Sequence, residues 1–112
     1  MMPEYKQLFE KWKQDNAVIR AEFVAGNISV AFTGHVLSHK STELRLSRFD
    51  DEMSISLFCA KLDYFDNIVG SPEAQAFFRR NFFCAVRVVT DAGVTCMVYE
   101  VRNPMLKRAA RG

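Results

Sequence analysis

Histidine, cysteine and carboxylate side chains are where catalysis or metal binding would begin, and this chain has two His, three Cys and two short acidic runs. A zinc centre needs three or four converging ligands, usually supplied as close pairs of Cys or His. Cys59, Cys84 and Cys96 are widely separated and each lies in an apolar stretch. Alternation puts Cys59 and Cys96 on apolar strand faces, so reduced, buried thiols are expected. His35 falls on the wetter face of a strand and His39 in the loop after it. A nucleophilic serine would want a Gly-x-Ser-x-Gly elbow or its equivalent, and none is present. Ser47, Ser54 and Ser56 are accounted for as strand hydroxyls facing solvent. Asp50, Asp51 and Glu52, then Asp63 and Asp66, lack the glycine and closing glutamate of a calcium loop and read as polar turns. The five glycines are scattered, with no phosphate-cradling loop. Nothing positive points to an enzyme, and no cofactor or metal is expected.

Two features are left that a binding function would use. Near the C-terminus, Val94, Cys96 and Val98 alternate with Met97, Tyr99 and Val101, so one strand is apolar on both faces. Such a strand is either central or has its outer face against a partner. Met97, Tyr99 and Val101 are therefore the candidate interface residues. The other feature is the basic end of the chain. Residues 105–112 hold Lys107, Arg108 and Arg111 and no acid, while the remainder balances at −1. Those three are the candidate nucleic-acid contacts, with Arg79, Arg80 and Arg87 as possible helpers.

Elements to position these groups follow from hydrophobic period. Tyr5, Leu8, Phe9 and Trp12 recur at three- and four-residue steps, predicting a helix that begins near Pro3 and stops near Asp15 and Asn16. Period two then takes over. Ile19, Ala21 and Phe23; Ile28, Val30, Phe32, Gly34 and Val36; Leu44 and Leu46; and Met53, Ile55, Leu57 and Cys59 define four strands in an antiparallel meander. Gly34 sits mid-strand on the apolar face, where it permits a bend. Residues 61–70 read as a strand end and a packed loop. Ser71 and Pro72 open a second helix, expected to bury Ala74, Phe77, Phe78 and Phe82. A hairpin turning at Asp91, Ala92 and Gly93 completes the chain.

The fold class is thus α+β: an N-terminal helix, a strongly bent antiparallel sheet, a helix, and a C-terminal hairpin. Residues 1–104 are expected to form one domain and 105–112 a flexible basic tail. The chain is 49% hydrophobic and 25% charged, which fits a globular domain and excludes general disorder. It has no apolar run of membrane-span length and no signal-type stretch, so a cytoplasmic protein without membrane attachment is expected. The helix, the meander and the segment Val30, Ala31, Phe32, Thr33, Gly34, His35 and Val36 resemble the Sm-like small barrels. That resemblance implies a small barrel and RNA as ligand; no site residue carries over from it. The same order of elements suits a curved sheet wrapping a helix. Three functions follow in order: a non-enzymatic module that self-associates as a dimer, a nucleic-acid-binding small barrel, and a small-ligand pocket beneath the sheet.

Overall fold

A computed structural model describes residues 3–108. Helix α1 covers Pro3–Gln14 and is followed by strands β1 (Ile19–Ala25), β2 (Ile28–Lys40), β3 (Glu43–Arg48), β4 (Asp51–Ser56) and β5 (Lys61–Phe65). Helix α2 (Pro72–Asn81), strands β6 (Phe82–Val89) and β7 (Thr95–Val101), and a short α3 (Pro104–Lys107) complete it. All neighbours pair antiparallel, in the order β4-β3-β2-β1-β7-β6-β5. The order of the four meander strands and both main helices agree with the sequence reading, but β2 runs on to Lys40, so His39 lies in that strand and not in a loop after it. β5 is an additional strand, formed in the segment read as a strand end.

α1 ends where its chemistry says it should. Asn16 takes a left-handed φ of 50°, the Ala17 amide bonds back to the Trp12 carbonyl, and the Asn16 amide to Lys13. This is a Schellman cap with asparagine in place of the usual glycine. The helix lays Tyr5, Phe9 and Trp12 onto the sheet, all nearly or fully buried. They join Ile19, Ala21, Val36, Leu44, Leu46, Ile55, Val86, Val88 and Val98 in the main core. Burying each large apolar side chain stabilises the fold by about 1.5–3 kcal/mol, so α1 is held by packing rather than by helix propensity.

The sheet curls around that helix. β4 and β5 are its two edges, yet only residues 57–60 connect them. Five peptide steps reach about 18 Å at full extension. A flat seven-stranded sheet would hold its edges about 29 Å apart. Curvature is therefore forced by connectivity, and it is made in β2. Residues 28–34 of β2 pair with β1, whereas residues 35–40 pair with β3, and the β3 register slips between Val36 and Ser38. Gly34 stands at the crossover. A Cβ there would lie 2.2 Å from the Ser47 carbonyl oxygen. Glycine is what lets β3 cross so closely over β2.

The sheet nevertheless stays open, since β4 and β5 do not pair. The closed small barrel implied by the Sm-like resemblance is replaced by the curved sheet wrapping a helix. The 57–60 turn also overturns a second expectation. Cys59 lies beyond the end of β4, is exposed and has a φ of 52°, so it is a turn residue and not part of the core. Cys84 and Cys96 are buried thiols, as expected.

On the sheet face away from α1, Phe78, Phe82, Val18, Ala85 and Val101 form a second cluster. Ser71 caps α2 by accepting from the Ala74 amide at 3.1 Å. α2 buries Phe78 and leaves Phe77 55% exposed, contrary to the sequence expectation, because it grips the sheet by one narrow stripe.

Candidate functional site

The doubly apolar strand is central: β7 lies between β1 and β6. Its outer face is largely taken by the chain itself. Val101 is buried, and Tyr99 is half-buried and stacks on Phe82 with ring centroids 4.3 Å apart. Met97 is half-buried beside Phe65, Ile68 and Val69. Of the three candidate interface residues, Met97 and Tyr99 keep partial exposure and Val101 does not.

The basic groups are spread out. Lys107 lies in α3, half-buried, and Arg108 follows it, exposed; the first part of the expected tail is therefore a helical turn capped by Asn103. Arg111 lies outside the described residues. Arg87 is held by Asp63 at 2.9 Å and lies over the Phe65 ring. Arg102 lies over Phe83. Arg79 and Arg80 project from the exposed side of α2.

Neither histidine sits free on the surface. His39 bonds Glu10 of α1, and its presence holds the Glu10 carboxyl below the usual carboxylate range, chiefly through that hydrogen bond. His35 is anchored through Nδ1 to the backbone oxygens of Asn16 and Ala17, at 3.2 and 3.1 Å. Among the described residues no three His, Cys, Asp or Glu side chains converge as metal ligands. Burial, reinforced for Cys84 by the neighbouring Glu100 carboxylate, pushes the thiols of Cys84 and Cys96 up to about 12. Both are therefore poor nucleophiles.

A different surface stands out, and it lies at the far end of the β1–β2 hairpin. Gly26 and Asn27 form its two-residue turn, with φ of 59° at Gly26. Beyond the β3 crossover, residues 28–33 of β2 have β1 on one side and, among the described residues, no strand on the other. Pairing of Ala25 with Ile28 closes the turn, so alternation points the backbone of Val30 towards β1 and that of Ser29 and Ala31 outward. Ile28, Ser29, Val30 and Ala31 are all exposed, Ile28 at 68% and Val30 at 50%.

Natural sheets protect such an edge with charge, proline or a bulge. Here the ten residues 24–33 contain no charged side chain and no proline. Ile28 and Val30 share the face of Phe23 and Ala25, and Val24 stands exposed on the reverse. The sequence reading had placed Ile28 and Val30 on a buried face. The structure corrects this: both are exposed and stand outside the core cluster, so they continue the apolar face past the end of the core.

No family model, no curated protein and no solved structure matches this chain.

Proposed function

We propose that this chain is a non-enzymatic assembly module that forms a dimer by pairing the free edge of β2 with the same edge of a second copy. The observation that carries the reading is the uncharged, exposed run of residues 28–31, paired with β1 on one side and with no strand of the described residues on the other. Its outward-facing residues set the register. Antiparallel pairing of Ser29 with Ala31 of the second copy, and the reverse, makes four backbone hydrogen bonds about a two-fold axis at Val30. The two Val30 side chains then meet across the axis on one face, flanked by Ile28 and Phe32. Since no charge lies in the segment, the self-pairing meets no like-charge repulsion.

The interface is small, so the dimer belongs to the weak, reversible class. Sedimentation equilibrium between about 10 µM and 1 mM, spanning the dissociation constants of weak complexes, tests it. A monomer–dimer equilibrium in this range supports the reading. Val30→Lys sets two ammonium groups face to face and weakens the dimer at least about tenfold. A chain that stays monomeric at the top concentration, or a Val30→Lys variant that dimerises like the parent, refutes it.

A further inference from the structure

At the opposite end of the hairpin, where α1 hands over to β1, lies a cleft of about 410 Å³ lined by Asp15, Asn16, His35, Phe83, Glu100 and Lys107, with backbone and apolar walls. Glu100 is its unusual member. By register it belongs to the α1 face of β7, in line with Cys96 and Val98, which are fully buried. Its Oε1 accepts from the Trp12 indole Nε1–H at 3.0 Å and from the Cys84 thiol at 3.5 Å. Both donors are neutral, and no salt bridge of the described residues includes Glu100. A half-buried carboxylate bonded only by neutral donors gains from a cation that comes to meet it.

The rest of the wall points the same way. Carbonyl oxygens only accept, so His35 Nδ1 carries the proton it gives to Asn16 and Ala17. In the neutral ring Nε2 is then an acceptor. The Schellman cap fixes the two carbonyls, so the ring is held in place. Asp15 contributes a second carboxylate, which no salt bridge among the described residues includes. Among the described residues of the wall, Lys107 is the one cationic side chain, against two carboxylates.

We infer that this cleft binds a small organic cation bearing N–H donors, a guanidinium or alkylammonium group, with Glu100 and Asp15 supplying charge and His35 Nε2 accepting a hydrogen bond. The absence of a three-ligand cluster among the described residues favours such a cation over a metal ion. The excess of carboxylates favours it over an anion.

Trp12 is the sole tryptophan and donates directly to Glu100, which makes it a built-in reporter. The experiment titrates agmatine and putrescine, with choline as a cation lacking N–H donors, at constant ionic strength. The readouts are Trp12 fluorescence and the indole N–H resonance. Saturable shifts are expected for agmatine or putrescine and not for choline. Glu100→Gln keeps an acceptor for Trp12 and Cys84 but removes the charge, and should weaken binding about tenfold or more. Asp15→Asn, at an exposed helix end, should weaken it several-fold with no change in fold. No saturable shift in the parent chain overturns the inference. So do choline binding equal to agmatine, and unchanged affinity in Asp15→Asn.

Discussion

Replacing Gly34 by alanine puts the account of the bent sheet at risk. The new Cβ would stand 2.2 Å from the Ser47 oxygen, 2.9 Å from the Ser47 carbonyl carbon and 2.9 Å from Phe32 Cε1. Carbon–oxygen contacts between strands settle at about 3.3–3.6 Å, so β3 must retreat by about 1 Å. The phenylalanine ring can turn aside, but Ser47 is backbone, paired with His35. Overpacking costs about 1–3 kcal/mol, and weakening the bonds of that pair adds about 1 kcal/mol. The expected loss is therefore about 3 kcal/mol, a large part of the 5–15 kcal/mol typical of a domain. At about 4–8 °C per kcal/mol, the melting midpoint should fall by about 12–24 °C. Urea unfolding followed by circular dichroism measures the loss directly. Gly70→Ala is the control, since its Cβ meets only the Ala74 Cβ at 3.6 Å; it should change stability by less than about 0.5 kcal/mol. If Gly34→Ala proves as stable as Gly70→Ala, the reasoning that glycine makes the crossover is wrong.

Two further expectations rest on single side chains. In the folded protein only Cys59 should react with a thiol reagent near neutral pH, because Cys84 and Cys96 are buried with raised pKa values; all three should react in urea, and Cys59→Ser should remove the native-state reaction. Equal native reactivity of a second thiol would contradict the burial described. The Glu10 carboxyl should titrate below its ordinary value and return towards it in His39→Ala, as read by carbon-detected NMR. Because its folded pKa is depressed, the stabilising contribution is present above the unfolded value and is lost as pH falls through the folded one. An unmoved Glu10 titration in the variant would remove His39 as the cause.

How far the fold was legible depended on what covers each element. α1 was plain because Tyr5, Leu8, Phe9 and Trp12 repeat at helical spacing and all pack inward. β7 was legible as apolar on both faces, but sequence leaves open whether a partner or the chain fills the second face. Here the chain fills much of it, through Phe78 of α2 and Phe82 at the start of β6. β5 reads only as a strand end, because it is a five-residue edge strand with a weak alternation of exposure. Cys59 was misplaced by extending an alternation past the end of its strand into a turn.

The candidate edge illustrates a deeper limit. Ile28 and Val30 keep the same alternation as buried Val36, since period reports a shared face and not how far the core extends along it. One signal for the cleft was present and missed. Glu100 continues the apolar series of Val94, Cys96 and Val98, and a carboxylate on that face calls for an explanation. What anchors His35 in the same cleft is the helix cap at Asn16, which no local pattern in β2 or β7 announces.

Amide hydrogen exchange of Ser29 and Ala31, measured across protein concentration, tests the proposed assembly most directly. Their N–H groups face away from β1 and should exchange fast in dilute protein, while that of Val30 is protected by the hairpin throughout. If the free edge pairs with a second copy, protection at Ser29 and Ala31 should rise with concentration in step with the dimer fraction, and Ala31→Pro should abolish both without disturbing β1–β2 pairing. Exchange at these two amides that is fast at every concentration, or a dimer that forms while they stay unprotected, would contradict the account.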